Sequence, residues 1–246
     1  MNSLLAQAER IMVIMAHPDD IEIQCGGTVA GLVQTGKRVT YVLCTSGNHG
    51  TAEAGLTADE LAAKRETEQQ AAASVLGVGS VIFLRHNDGD LAYEQPVLRR
   101  EVVGLLRQYQ PQVVFTHDPF AGVGSYEVCY LHPDHRTVGE VVLAAAFFCA
   151  PGPLFYADQF ATGLTPHRVS ALCLAMSHQP DLFVDIGQTF EAKVRAIACH
   201  TSQWGQQPDT SARLSTGLAG FFQQMAAGIG RQRGIALAEA FKVLKA

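Results

Sequence analysis

The chain has 246 residues, 48% of them hydrophobic, which is enough to bury a large core within one domain. It carries 18 basic against 23 acidic residues, a formal net charge of -5, and no run of lysines or arginines, so we expect no nucleic-acid partner. Met1 to Arg10 lacks a secretory signal pattern and no apolar stretch is long enough to span a bilayer, so we expect a cytoplasmic protein without a membrane anchor.

Apolar runs of strand length alternate with helical patterns along the chain. Strands are predicted at residues 11–16, 38–45, 81–84, 112–116, 153–156, 168–176 and 182–184. Helices are predicted at residues 26–36, 58–76 (with Thr57 as the N-cap), 97–108, 138–148, 189–200, 217–230 and 235–244. The alternation predicts an α/β fold: a three-layer, Rossmann-like arrangement in which helices cover both faces of a mostly parallel sheet. We expect one domain over residues 1–246.

The first predicted strand ends in His17-Pro18-Asp19-Asp20. His17 and Asp20 lie three residues apart, so one turn beginning at Pro18 can direct both side chains at one ion and leave Asp19 facing elsewhere. The same residues are also typical of a capped helix start, and this motif alone does not decide between a metal site and a cap.

A second motif of the same kind favours the metal site. His132-Pro133-Asp134-His135 again places two metal-binding residue types three apart around a proline, ahead of an apolar helical run. In a parallel α/β sheet, ligands bind beyond the carboxyl ends of the strands, where the loops after residues 16, 45, 84 and 116 converge. The long segment from His117 to Leu131 is expected to act as a lid or substrate loop.

Two imidazoles and one carboxylate, from His17, Asp20 and His135, are a typical catalytic zinc set because three protein ligands leave a position for water. Zinc brings the pKa of that water close to neutrality. Asp19 is then expected to accept its proton, and His132 to protonate the leaving amine or to stabilise the oxyanion. A purely structural role for His132 is the alternative.

Several motifs resemble those of one enzyme family. They are Ala16-His17-Pro18-Asp19-Asp20, Gly26-Gly27-Thr28, Thr45-x-Gly47-x-x-Gly50, Arg65-Glu66, His132-Pro133-Asp134-His135 and His200-x-Ser202-Gln203. Together they resemble the PIG-L/LmbE-like N-acetylglucosamine deacetylases over almost the whole chain. The resemblance implies zinc held through His17, Asp20 and His135, Asp19 as general base and His132 as acid or electrostatic partner. It also implies a Rossmann-like sheet that binds no dinucleotide.

Three further residues match positions with roles in some family members. Tyr130 corresponds to a tyrosine that stabilises the oxyanion, or it serves in aromatic packing. Arg65 corresponds to an arginine that meets substrate hydroxyls, or it forms a surface ion pair with Glu66 or Glu68. His200 either approaches the site from the C-terminal half or caps its helix. The acid after the two aspartates is displaced to Glu22, which is expected to lie behind the ligands or to face outward.

The sequence therefore predicts a zinc-dependent hydrolase, with another divalent ion as the alternative metal, that deacetylates an N-acetylglucosamine-containing small molecule or conjugate. An amidase of a larger amide conjugate on the same zinc site is the nearest alternative, and a sugar- or nucleotide-binding protein without catalysis is a more distant one. We expect a small amino-sugar substrate and, from the resemblance, a homo-oligomer with three or six copies.

Overall fold

A seven-stranded sheet forms the centre of the computed structural model, which describes residues 3–51, 55–121, 132–205 and 217–246. The strands are β1 (Arg10–Met15), β2 (Arg38–Thr45), β3 (Ser80–His86), β4 (Val113–His117), β5 (Ala171–Ala175), β6 (Leu182–Asp185) and β7 (Ala238–Lys245). They lie in the order β3-β2-β1-β4-β5-β7-β6. Neighbours from β3 to β5 are parallel, whereas β7 is antiparallel to both β5 and β6.

Helices connect most of these strands. Within the described ranges they are α1 (Ser3–Gln7), α2 (Asp20–Gln34), α3 (Ala58–Val75), α4 (Leu91–Tyr109), α5 (Pro133–Ala144), α6 (Phe190–Ile197), α7 (Thr201–Trp204) and α8 (Gly217–Arg231). A π-helical turn at Ala145–Cys149 continues α5, and a 3₁₀ helix covers Ala157–Thr162. Thr57 caps α3 in a reciprocal pair of hydrogen bonds with Glu60, as its sequence position predicts. No helix among the described residues is long and apolar enough to cross a bilayer.

Strand β1 shows why its sequence is continuously apolar. Ile11, Val13 and Met15 pack into the core formed with α2 and α3, while Met12 and Ile14 pack into the core on the opposite face, formed with α4 and α5. Because side chains alternate between the faces of a strand, a strand covered on both sides needs apolar residues throughout. The predicted three-layer α/β fold with a mostly parallel sheet is confirmed.

Two predicted elements are wrong. The last segment forms strand β7 instead of a helix, although Ala, Leu, Glu and Lys are good helix formers. β7 supplies the hydrogen-bonding partner between β5 and β6, and this tertiary pairing overrides the local preference. Residues 153–156 form a turn instead of a strand. The buried Arg107 guanidinium donates to the carbonyl oxygens of Cys149, Gly152 and Phe155 and holds the turn in place.

The order of the strands locates a crevice. β1 lies between β2 and β4, and the chain runs outward from it in both directions, so the loops after β1 and β4 separate towards opposite faces. This reversal is where open α/β sheets bind ligands. His17 follows β1 and His117 ends β4, which places both at this point.

Candidate active site

The turn between β1 and α2 brings His17 and Asp20 together. The His17 main-chain N–H donates to Asp20 Oδ2 at 2.8 Å, and Asp20 begins α2. Between them, Asp19 adopts a left-handed conformation with φ of 99°, which is unusual for a residue other than glycine. The turn therefore separates the directions of the two adjacent carboxylates, as the sequence predicts.

His17, Asp20 and the α5 residue His135 bring potential ligand atoms close together, and each imidazole lies next to a different oxygen of Asp20. His17 Nδ1 lies 3.4 Å from Asp20 Oδ2 and 3.3 Å from His135 Nε2, and His135 Nε2 lies 3.2 Å from Asp20 Oδ1. A tetrahedral zinc ion with ligand bonds of about 2.0–2.1 Å separates its donor atoms by about 3.3–3.4 Å. The donor types and their spacing therefore fit such an ion.

The second nitrogen of His17 meets two carboxylates. His17 Nε2 lies 3.0 Å from Asp88 Oδ1 and 3.2 Å from Asp134 Oδ2. A proton shared with a carboxylate at Nε2 leaves the Nδ1 lone pair directed at Asp20 and His135, the arrangement that commonly orients a metal-binding histidine. Burial alone would lower the pKa of His17, but hydrogen bonds to Asp134, Asp20 and Asp88 raise it well above its ordinary value. The surroundings of His17 therefore favour a positive charge.

Asp88, Asp134 and His117, the last residue of β4, belong to the site although the sequence predicts no role for their side chains. His117 Nε2 accepts the Ala16 N–H at 3.0 Å, and its ring stacks on His135 with centroids 4.0 Å apart. Burial, together with the nearby His135, lowers the pKa of His117 to about 4, so the ring is neutral at pH 7. Because the Ala16 amide occupies the Nε2 lone pair, His117 supports the His135 ring instead of supplying a ligand through this atom.

Asp19 lies beside the proposed ligands with 15% of its side chain exposed, and residues of α3 hold it there. Its N–H donates to Gln69 Oε1 at 3.1 Å, and its Oδ1 lies 3.4 Å from Nη2 of Arg65. Burial raises the pKa of Asp19 to about 6, repulsion from Asp20 adds to the rise, and Arg65 opposes it. A higher pKa makes the carboxylate a stronger base, and a cation bound beside it would counteract part of the rise.

The ring of His132 lies beside the rings of His17 and His135. Its ring centroid is 4.7 Å from that of His17 and 4.8 Å from that of His135. As the N-cap of α5, its Nδ1 accepts the Asp134 N–H at 3.3 Å, so a proton on the neutral ring sits on Nε2. Burial and the neighbouring His17 lower the pKa of His132. The cap and a position beside the proposed metal are therefore compatible.

Two of the remaining residues predicted from the sequence are Arg65, which the structure describes, and Tyr130. Arg65 is buried and donates to Pro18 O at 2.5 Å and to Gly47 O at 3.1 Å, so it supports the turn that carries Asp19. The alternative of a surface ion pair with Glu66 or Glu68 is wrong, because Glu66 pairs with Arg85 and Glu68 accepts from Thr201 and Ser202 instead. Tyr130 lies outside the described residues.

His200 is connected to the proposed active site through other buried side chains. It is fully buried, and its Nε2 lies 3.2 Å from Glu22 Oε2, while Glu22 Oε1 accepts from Gln69. Glu22 therefore does not face outward. His200 connects to Asp19 through Glu22 and Gln69 instead of lining a substrate pocket.

Comparison with known proteins identifies the family of this chain. The family described as PIG-L, GlcNAc-PI de-N-acetylase, matches residues 12–146, which contain the four site residues proposed as ligands and base as well as His132. The chain belongs to the PIG-L family. The family resemblance inferred from the motifs is confirmed.

Individual members extend the match beyond residue 146. The diacetylchitobiose deacetylase of Thermococcus kodakarensis is 36% identical over 203 residues, covering 82% of this chain and 73% of its own. A 1D-myo-inositol 2-acetamido-2-deoxy-alpha-D-glucopyranoside deacetylase of Mycobacteroides abscessus is 29% identical over 248 residues. This match covers 85% of this chain and 86% of that enzyme.

A solved structure supports the same assignment. The N,N'-diacetylchitobiose deacetylase of Pyrococcus horikoshii superimposes with a TM-score of 0.86 and 32% identity, over 99% of this chain and 86% of that one. These three PIG-L relatives are deacetylases, enzymes that hydrolyse amide C–N bonds, so the expected enzyme class is confirmed.

Proposed function

We propose that this protein is a zinc-dependent N-deacetylase, folded as a single domain, that removes the acetyl group from an N-acetylglucosamine-containing small molecule or conjugate. The observation that carries the proposal is the close grouping of His17, Asp20 and His135 with the carboxylate of Asp19, whose side chain is 15% exposed, beside them. Three ligands with a base next to the open position are the parts that a hydrolytic metal site needs.

His17, Asp20 and His135 would hold the ion, and Asp88 and Asp134 would orient His17 from the other side. When bound, zinc lowers the pKa of water and polarises a carbonyl oxygen. Asp19 takes the proton of the attacking water as the new C–O bond forms at the acetamide carbon. Burial lowers the pKa of His132, so its ring is neutral before the attack. His132 then takes up the proton that Asp19 removed from the water and passes it to the amine nitrogen as the C–N bond breaks, which releases acetate and the free amino sugar and leaves both side chains as they began.

The substrate class follows from the relatives. The enzymes to which this chain is similar act on diacetylchitobiose and on an N-acetylglucosaminyl inositol, and both carry the 2-acetamido group of glucosamine. A larger acyl group would be the substrate of the alternative amidase, which uses the same ligands and base. The cytoplasmic location, the trimer or hexamer, and oxyanion stabilisation by Tyr130 stay predictions.

Acetate release tests the proposal. We would incubate the zinc-loaded protein with N-acetylglucosamine, diacetylchitobiose and an N-acetylglucosaminyl inositol, and with analogues that carry longer acyl groups. Acetate and free amine should form in equal amounts from at least one acetamido sugar. Zinc bound without acetate release, with a longer acid released instead, would identify the amidase.

Asp19→Asn separates the base from the metal. We expect it to keep its zinc and to lose about 10²- to 10⁴-fold of turnover, the usual contribution of a general base. Asp59→Asn, on the exposed first turn of α3, is the matched control. Retained turnover in Asp19→Asn would remove Asp19 from the mechanism.

A further inference from the structure

A cavity of about 550 Å³ opens at the amino ends of β1, β2 and β3, on the sheet edge opposite the proposed metal site. Turns that lead into the strands form its walls: the turn from α2 to β2, the turn from α3 to β3, and the turn from α4 to β4. Its volume lies within the range of small-molecule sites, about 300–1,000 Å³. Because β1 has six residues at about 3.3 Å each, roughly 20 Å separates this cavity from His17.

The cavity is cationic in a protein whose net charge is negative. Among the residues that the structure describes, Arg10, Lys37 and Arg38 line it, and no aspartate or glutamate does. None of the three forms an ion pair with any residue in the described ranges. Lys37 Nζ donates to Ala6 O at 2.6 Å and Arg10 Nε to Gln110 O at 2.9 Å, contacts that orient the side chains without neutralising them.

The strand register places two of these charges side by side. Arg10 on β1 and Arg38 on β2 are direct partners in the parallel ladder. Side chains at partnered positions project to the same face of a sheet, and like charges there repel each other. An anion bound between the two arginines would relieve this repulsion, and arginine is well suited to phosphate because its donors form a planar fork.

The rest of the lining suits the organic part of a ligand. Tyr109, at the end of α4, contributes an aromatic ring, and Ile11, Val33 and Val39 contribute apolar surface. A phosphate monoester carries about 1.5 to 2 negative charges near neutral pH, whereas a carboxylate carries one. A site with three cations therefore suits a phosphate better than a carboxylate.

We propose that this cavity binds a small organic phosphate, its phosphate held by Arg10, Lys37 and Arg38 and its organic portion against Tyr109. The site is independent of the catalytic proposal, since it shares no residue with it. It gives the enzyme a place for an anionic ligand that is not its substrate.

Isothermal titration calorimetry of the zinc-loaded protein tests this, with AMP, inorganic phosphate and adenosine as probes. We expect saturable AMP binding at one site per chain, weaker phosphate binding that competes with AMP, and no adenosine binding. Arg38→Gln and Lys37→Gln should each weaken AMP about tenfold or more, since each removes a charged hydrogen-bond donor. Tyr109→Leu should weaken AMP but leave inorganic phosphate unchanged.

Arg195→Gln on α6 removes one exposed arginine far from the cavity and should bind AMP like the parent. Arg38 is exposed at the first position of β2, and each variant's fold is checked by its thermal midpoint without ligand. Three results would overturn the proposal: no saturable AMP binding, AMP binding that survives Arg38→Gln and therefore lies elsewhere, such as at the zinc, or equal losses in Arg38→Gln and Arg195→Gln.

Discussion

Gln69 holds the main chain of Asp19. Its Oε1 accepts the Asp19 N–H at 3.1 Å, and its Nε2 donates to Glu22 Oε1 at 2.9 Å. Gln69 is fully buried, and Asp19 has a positive φ that costs an L-residue roughly 1–2 kcal/mol. One side chain on α3 therefore fixes a strained residue and connects it to a buried carboxylate on α2.

Gln69→Leu removes both hydrogen bonds while keeping a similar volume. We expect kcat to fall about tenfold or more with a smaller change in KM, because a misplaced base slows the reaction more than it weakens binding. Zinc content should not change, since the ligands keep their own contacts. The measurements are steady-state kinetics and metal analysis of the purified variant.

Gln70→Leu is the matched control, because Gln70 is the next residue of α3 and is exposed. A purely structural role for Gln69 would lower the stability but leave kcat per folded molecule unchanged. An unchanged kcat, or an equal loss in Gln70→Leu, would show that Gln69 does not position the base.

Alanine at His17, Asp20 or His135 should remove the metal. Two remaining ligands cannot complete a tetrahedral site, so we expect zinc content to fall to a small fraction and acetate release to fall with it. His178→Ala is the control, because His178 is an exposed histidine outside the ligand set. Metal analysis after gel filtration measures the zinc content of each variant. Full zinc occupancy in any of the three variants would exclude that residue as a ligand.

The proposed ligands could be found in the sequence because their motifs are local. Each motif sets a histidine and a second ligand or partner within one turn, and a strand that ends abruptly in polar residues indicates the edge of the sheet where they meet. Asp88 could not be found in this way. It follows β3 and reaches His17 only because β2 and β3 pair in parallel, so its role depends on the assembled sheet.

Arg65 shows a second limit. Its position in the chain suggested substrate contact or a surface ion pair, but the direction of a long side chain depends on how the helices pack. α3 lies against the turn after β1, and the guanidinium is buried there on Pro18 O and Gly47 O. The helix predicted at residues 235–244 is wrong for the same reason, since the strands that pair with β7 lie far away in sequence.

His86 should make stability depend on pH. Its Nε2 lies 2.6 Å from Glu101 Oε2, its Nδ1 contacts Glu94, and its side chain is 8% exposed. Burial lowers the pKa of His86, but the hydrogen bonds to Glu94 and Glu101 outweigh it and raise the pKa above the ordinary value. A raised folded pKa means that this stabilisation is complete below the unfolded value of about 6.5 and is lost as the pH rises through the folded value.

His86→Gln should therefore cost more stability at pH 6 than at pH 9. We expect a difference of about 0.5–1 kcal/mol between the two pH values, since both glutamates are partly exposed and screened. Urea unfolding at each pH measures it, with His178→Gln as the control. Equal destabilisation at both pH values would show that the protonated form of His86 contributes nothing.

Gly27 is required by packing and its neighbour Gly26 is not, although both lie inside α2. A Cβ on Gly27 would come within 2.8 Å of Ile186, whereas a Cβ on Gly26 would find its nearest neighbour, Lys193 Cγ, at 3.5 Å. Gly27→Ala should lower the free energy of unfolding by about 1–3 kcal/mol through overpacking. Gly26→Ala should raise it by up to about 1 kcal/mol, because alanine is the better helix former. Urea unfolding of the two variants measures both changes in the free energy of unfolding. Changes of the same sign and size would contradict the close approach of α2 to Ile186.

The zinc affinity of Gly27→Ala is a second measurement of the same contact. Since α2 also begins with Asp20, any shift of the helix in Gly27→Ala should lower zinc affinity as well.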